Sequence, residues 1–146
     1  MLKDLIARLA RPEDTAPLPA DDARLALAAL MVRAARADGE FDAGEREEIA
    51  RVLADRHALA PAEAETLLVE AEAAEAAAPD TVRFARLIKA AVPHADRLEV
   101  LEALWRVVLA DGRRDPAEDA LLRQLVPLLG LADRDAAFAR RRAQEG

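Results

Sequence analysis

The sequence predicts an all-α fold, a bundle of seven to eight helices built from two related halves. Alanine, leucine, arginine and glutamate dominate the composition, and aromatic residues make up only 3% of the chain, which is typical of helical proteins with thin packing layers. Apolar residues recur at spacings of three and four along most of the chain, as expected for amphipathic helices. One nine-residue segment also occurs twice. These three observations predict helices arranged in a pseudo-twofold repeat.

The repeated segment is an acidic motif with the pattern Ala-Asp-Gly-x-x-Asp-x-x-Glu. It begins at Ala37 and again at Ala110, at an offset of 73 residues that the flanking apolar positions share. The acidic positions of the two copies are Asp38, Asp42 and Glu45, and Asp111, Asp115 and Glu118. A period present only twice indicates a duplication, since solenoids normally need three or more repeats.

Residues 1–20 are predicted to form an N-terminal helix and linker, separate from a helical domain over residues 21–146. An amphipathic helix is predicted over Met1–Ala10, because apolar residues share one face. These residues are Leu2, Leu5, Ile6 and Leu9. Three prolines between Arg11 and Ala20 predict a linker, since proline ends a helix. The short helix either folds back onto the bundle, which we favour, or contacts a membrane surface or a partner.

The first half is predicted to contain three helices separated by recognisable start and stop signals. Asp21 or Asp22 caps the first helix, and Gly39 ends it in the left-handed conformation. Its apolar stripe is Leu25, Ala28, Met31, Val32 and Ala35. Asp42 and Glu45 form a capping box for a second helix. The buried face of that helix is predicted to be Ile49, Val52 and Leu53. A third helix begins at Pro61 and continues to about Ala77.

The same pattern is predicted to recur in the second half. It follows a connecting helix over Thr81–Val92 that has no counterpart in the other repeat. The stripe equivalent to that of the first helix is Leu98, Leu101, Leu104, Trp105 and Val108. The positions equivalent to the second helix's buried face are Leu122, Leu125 and Val126. Gly130 and Leu131 form a turn, and a last helix is predicted from about Ala132.

Composition excludes several functional classes. The formal charge of -7 argues against nucleic-acid binding, which depends on a basic surface. The tight basic run Arg140–Arg142 is better interpreted as complementing a helix C-terminus. Cysteine is absent, so disulfides, thiolate nucleophiles and zinc knuckles are excluded. We find no signal peptide and no apolar run of about 20 residues, and therefore expect a cytoplasmic protein.

The two histidines and the single tryptophan are predicted to be structural. His57 is placed near a helix C-terminus, where a positive charge is favourable, and His94 falls in a helix's first turn. Neither has a glutamate three positions earlier, as paired di-iron motifs would require. Trp105 lies on an apolar stripe and is predicted to be a core residue. No nucleophile and base have the spacing of a catalytic triad.

The doubled motif resembles that of the TerB family of tellurite-resistance-associated proteins, over about Asp22 to Ala143. The resemblance implies an all-α fold in two halves, and an acidic surface that binds divalent cations. It also implies an association with bacterial stress and tellurite resistance rather than a defined reaction. A similar domain beside a J domain in some co-chaperones implies protein partners. The J-domain signature His-Pro-Asp is absent from this sequence.

Two interpretations of the acidic motif remain open, and they are compatible with each other. In the structural one, glycine ends a helix while Asp and Glu cap the next. In the other, the six acidic residues of the two copies bind a metal ion. Asp38 and Asp111 favour this, because they lie at helix C-termini, where a negative charge is disfavoured. Oxygen-only ligands would select Ca²⁺, Mg²⁺ or Mn²⁺.

The favoured functional hypothesis is a non-enzymatic helical module that binds protein partners, with a divalent cation at the acidic corners. The alternative is a metal-dependent hydrolase or phosphate-handling enzyme that uses the carboxylate clusters. Carboxylates that converge in a concave pocket would support the enzyme. Acidic corners exposed on a convex surface would support the binding module.

Overall fold

The computed structural model describes Ala7 and residues 20–37, 39, 41–77, 80–109 and 116–145. Over these residues the chain forms seven helices and no strands. They are α1 (Ala20–Ala35), α2 (Ala43–His57), α3 (Pro61–Ala77), α4 (Thr81–Ala91), α5 (His94–Leu109), α6 (Pro116–Leu128) and α7 (Asp133–Glu145). The predicted all-α bundle is therefore confirmed. The predicted helix over Met1–Ala10 and the linker after it lie outside the described residues, apart from helical Ala7 and Ala20.

Helix α1 is the centre of the bundle. Every residue from Leu25 to Val32 is buried, and α1 contacts each of the helices α2 to α6. The predicted apolar stripe is buried, but so is the opposite side of the helix. Ala26 and Ala29 there carry only a methyl group, so neighbouring helices can approach closely. A helix that is apolar all round belongs in the interior, which is where α1 lies.

The two predicted halves contain comparable helix pairs. The most extensive contacts between helices are those of α5 with α7 and of α1 with α3. Each pair consists of the first and third helices of its half. Helices α2 and α6 begin at Ala43 and Pro116, which differ by the offset of the repeated motif. Helix α4 packs between the halves and contacts α1, α5 and α6. The duplication itself stays a prediction.

The predicted inner stripe of α5 forms much of the second half's core. Leu101, Leu104, Trp105 and Val108 are buried and Leu98 is partly buried. The guanidinium carbon of Arg140 on α7 lies 4.9 Å from the centroid of the Trp105 ring, a cation–π distance. The basic run at the C-terminus therefore helps to pack α7 onto α5, in addition to its predicted place near a helix end.

Most helix boundaries follow the predicted signals. Helix α4 begins at Thr81, as predicted; its N-cap, which was not predicted, is Asp80, whose side chain accepts a hydrogen bond from the backbone N–H of Arg83 at 2.9 Å. Gly130, after α6, has a positive φ of 71°. One prediction is wrong: α1 begins at Ala20, so Asp21 and Asp22 lie within its first turn instead of capping it. There they still complement the positive end of the helix dipole.

None of the helices in the described ranges is long and apolar enough to cross a membrane.

Candidate functional site

The first acidic corner joins the end of α1 to the start of α2. Gly39 has a φ of +86°, the left-handed conformation that glycine adopts without a Cβ penalty, and its N–H donates to the Arg36 carbonyl at 2.9 Å. Asp42 has extended backbone geometry, and its Oδ1 accepts a hydrogen bond from the N–H of Glu45 at 2.8 Å. The predicted stop at Gly39 and cap at Asp42 are thus confirmed.

Three of the six predicted metal ligands fall within the described residues. Asp42 is exposed, whereas Glu45 and Glu118 are buried, at 8% and 5% exposure. Asp38, Asp111 and Asp115 lie outside the described residues. Among the residues that the structure describes, no group of three or more acidic or histidine side chains is placed to hold a metal ion. Convergence of each predicted triad stays a prediction.

The second acidic corner has a buried acidic pair in the first turn of α6. Glu118 and the adjacent Asp119 are both buried, and α6 begins two residues earlier at Pro116. Glu118 matches Glu45, which is buried in the first turn of α2. The sequence analysis did not single out Asp119. Its signal was available, because a second acid in a predicted first turn is placed to interact with the helix dipole.

An arginine immediately after Glu45 ties α2 to α3. The Nη1 and Nη2 atoms of Arg46 lie 3.0 and 2.7 Å from the two carboxylate oxygens of Glu65. Arg46 also donates to Glu72 Oε1 through Nη2 at 2.9 Å and through Nε at 3.2 Å. The hydrogen bonds to Glu65 and Glu72 raise the pKa of Arg46 above its ordinary value. The hydrogen bond from Arg46 lowers the pKa of Glu65. The first turn of α2 is therefore anchored beside the corner.

Glu75, a buried residue on α3, forms ion pairs with the two arginines at the end of α1. Glu75 Oε1 lies 3.3 Å from Arg33 Nε, and Oε2 lies 3.3 Å from Arg36 Nη1. Arg33 also donates to the backbone carbonyl of Glu75 at 3.2 Å. Glu75 is not among the predicted site residues, although it lies four positions after Ala71 on the buried face of α3. An acid at a core position is the available signal for a buried ion pair.

Two aromatic rings stack on the same arginines. The guanidinium carbon of Arg36 lies 5.2 Å from the centroid of the Phe41 ring. The guanidinium carbon of Arg33 lies 5.3 Å from the centroid of the Phe84 ring. These cation–π contacts extend the Glu75 network from α3 to the segment just before α2 and to α4. The first acidic corner is thus held on one side by the Phe41 and Arg36 pair.

A groove of about 470 Å³ runs between α2, α5 and α7. Two ion pairs line it: Arg56 with Glu99 at 3.3 Å, and Arg142 with Glu102 at 3.3 Å. Phe138 lines the groove and is 49% exposed. Of the described residues, Phe138 and Val69 are the large hydrophobic ones that are exposed. The groove therefore has an apolar anchor, Phe138, beside paired charges.

The two histidines have different surroundings. Burial is the main cause that lowers the pKa of His57 to about 4, and the positive charges of Arg24 and Arg56 lower it further. Its Nε2 is buried without a hydrogen-bond partner. His57 is the last residue of α2, which confirms its predicted place at a helix C-terminus, but its burial there disfavours the charged form. His94 is exposed at the start of α5, as predicted.

Comparison with known protein families decides the identity of this fold. A family model described as "Tellurite resistance protein TerB" matches residues 24–141. The chain belongs to the TerB family. The matched range includes both acidic corners and begins after the predicted linker, within the first two turns of α1. Searches against curated proteins and against solved structures returned no match.

Proposed function

We propose that this TerB-family chain is a non-enzymatic module that binds a protein partner and holds a divalent cation at its acidic corners. Membership of the TerB family, whose domains are generally non-catalytic, supports the first part. The observation that carries the partner hypothesis is the exposure of Phe138 at the groove between α2, α5 and α7. By resemblance to the family, the role of the chain is in bacterial stress and tellurite resistance in the cytoplasm.

The composition of the groove fits a protein interface. Energetically important interface residues are enriched in aromatic side chains and arginine, surrounded by polar contacts that exclude water. Phe138 has Arg142 at 5.8 Å from its ring centroid, and Arg142 is itself paired with Glu102. The pairing holds the guanidinium in place, so less side-chain freedom is lost when a partner covers the ring.

The confirmed cap at Asp42 is compatible with a metal ion. Only Oδ1 accepts the hydrogen bond from Glu45 N–H, and an ionised carboxylate has about four lone-pair sites. The same side chain can therefore cap α2 and contribute an oxygen ligand. With Asp38 and Glu45 it would offer only oxygen atoms, the ligands that suit Ca²⁺, Mg²⁺ and Mn²⁺.

The enzyme alternative requires several carboxylates that converge in a pocket. Within the described ranges no group of three or more such side chains is placed to hold a metal ion, and no other observation there favours hydrolysis or phosphate chemistry.

The partner hypothesis is tested by quantitative affinity capture from host cells. Phe138→Ala should lose the specific partner that the wild-type chain retains. Val69→Ala is the matched control, because Val69 is 53% exposed but lies on α3, away from the groove. Identical protein profiles for the wild type and both variants would contradict a docking role for the groove.

The stress-resistance hypothesis is tested in the host. Deletion of the gene should lower the tellurite concentration that stops growth, and the wild-type gene should restore it. Phe138→Ala should fail to restore resistance at equal protein levels, whereas Val69→Ala should succeed. Unchanged resistance after deletion would contradict this role.

A further inference from the structure

A second cleft, distinct from the Phe138 groove, lies between α1 and α3 at the point where the described chain enters α1. Its volume is about 330 Å³. Asp21 and Arg24, in the first turns of α1, form one side of it, and Thr66 lies on the α3 side. Any segment that precedes α1 is therefore covalently joined to the edge of this cleft.

The cleft combines an apolar floor with an acidic rim. Leu59 and Leu67 provide the apolar surface, and the rim carries Asp21, Glu63 and Glu70. Among the described residues that line it, Arg24 is the one basic residue, so the charge of this described lining is negative. Glu63 Oε1 accepts a hydrogen bond from Ala60 N–H at 2.9 Å, which fixes its carboxylate at the rim.

We propose that the N-terminal segment, residues 1–10, docks in this cleft as an amphipathic helix. The sequence places Leu5 and Ile6 at the centre of an apolar face, with Lys3 and Arg8 beside it. The apolar face would cover Leu59 and Leu67, and the two basic side chains would meet the acidic rim. Lys3 and Arg8 outnumber Asp4, so the side chains of the segment carry a net charge of +1, and both its hydrophobic pattern and the sign of its charge are complementary to the cleft.

Docking of the segment costs little entropy, because a short linker already joins it to α1. The nine residues 11–19 can span about 30 Å when extended, and a ten-residue helix is about 15 Å long. Because the first turn of α1 lines the cleft, the segment can turn back without straining the linker. A short linker also gives the segment an effective concentration on the order of millimolar at the cleft, so even a small apolar contact would be occupied.

Cross-linking in the full-length chain tests the proposal. The chain contains no cysteine, so Leu5→Cys combined with Thr66→Cys gives one defined thiol pair. A short bis-maleimide should link this pair within one molecule at least about tenfold faster than the control pair Leu5→Cys with Gln124→Cys. Gln124 is exposed on α6, a helix that makes no contact with α3 over the described residues. Equal rates for the two pairs would overturn the proposal, as would links only between molecules.

Charge reversal tests the contribution of the acidic rim. Glu70→Lys in the Leu5/Thr66 cysteine background should slow the intramolecular link several-fold. Glu47→Lys, at an exposed position on α2, makes the same charge change away from the cleft and should leave the rate unchanged. The same slowing by both variants would show that only overall charge matters, and would overturn the specific docking.

A membrane surface is the competing destination of the segment. The cross-linking is repeated with vesicles of anionic phospholipid and pelleting of bound protein. The proposal expects little protein on the vesicles and an unchanged rate for the Leu5/Thr66 pair. Binding to vesicles with loss of the intramolecular link would overturn it and identify the segment as a membrane anchor.

Discussion

The Oδ1 atom of Asp42 accepts a hydrogen bond from the backbone N–H of Glu45 at 2.8 Å. This contact closes the first turn of α2 and joins two residues of the acidic motif. The cap alone accounts for the geometry of this corner without any ligand. It therefore sets the baseline against which metal binding has to be measured.

Removing the cap should destabilise the protein with or without metal. Asp42→Ala leaves the Glu45 N–H without its acceptor and should lower the free energy of unfolding by about 1 kcal/mol. Asp42→Asn keeps a capping oxygen and should cost much less. Urea denaturation followed by circular dichroism measures both. Equal losses for the two variants would show that the charge of Asp42, rather than its hydrogen bond, supports α2.

Alanine should have opposite effects at the two glycines of the first corner. Gly39→Ala places an L-residue at φ +86° and should cost about 1 kcal/mol. The new Cβ would meet no atom of the described chain within 4 Å, so the cost is conformational. Gly44→Ala, within α2, should stabilise by about 0.5 kcal/mol. Denaturation midpoints check both, and a neutral Gly39→Ala would contradict the left-handed turn.

Trp105 should be one of the more costly residues to truncate. It is 6% exposed and packs beneath Arg140, so Trp105→Ala should lower the free energy of unfolding by about 3–5 kcal/mol. Phe138→Ala, at a half-exposed aromatic residue, should cost less than about 1 kcal/mol. A loss below about 1 kcal/mol for Trp105→Ala would show that Trp105 is a surface residue.

The lowered pKa of His57 predicts a loss of stability in weak acid. The folded state binds a proton at His57 only near pH 4, whereas the unfolded chain binds one near its ordinary pKa of 6.5. Between these values the unfolded state binds more protons, so stability falls as pH falls. Because His57 is only partly buried, solvent screening weakens the effect, and the expected loss from pH 7 to pH 5 is about 1 kcal/mol. His57→Gln should remove this loss and His94→Gln should not, as urea denaturation at the two pH values can measure.

Helix positions could be predicted because local residues specify them. Pro61 starts α3 and Asp42 caps α2, both at their predicted residues, since proline and aspartate act on the backbone beside them. The all-round burial of α1 could not be predicted, because alanine is compatible with either the surface or the core. Only the packing of five helices around α1 decides it.

The chemistry of the candidate site was less predictable, because it depends on contacts distant in sequence. Glu75 is paired with Arg33, which lies 42 residues away; the local pattern places Glu75 on a buried face but does not identify its partner. The neutral state of His57 depends on burial and on Arg24, a residue of another helix. The cap at Asp42 could be predicted because it depends on residues three positions apart. A metal site would also require the side chains of Asp38 and Glu45 to converge.

The central claim is that the acidic corners bind a divalent cation, and it is tested most directly by unfolding free energy. Chelator-treated protein is denatured in increasing Ca²⁺, Mg²⁺ or Mn²⁺. One of these ions at a hundred times its dissociation constant should add about 2.7 kcal/mol per occupied site. Asp38→Asn should abolish the gain from the first site and slightly stabilise the metal-free protein, because it relieves repulsion between carboxylates. Unchanged stability of the wild type at millimolar concentrations of all three ions would contradict metal binding and leave the corners as helix caps.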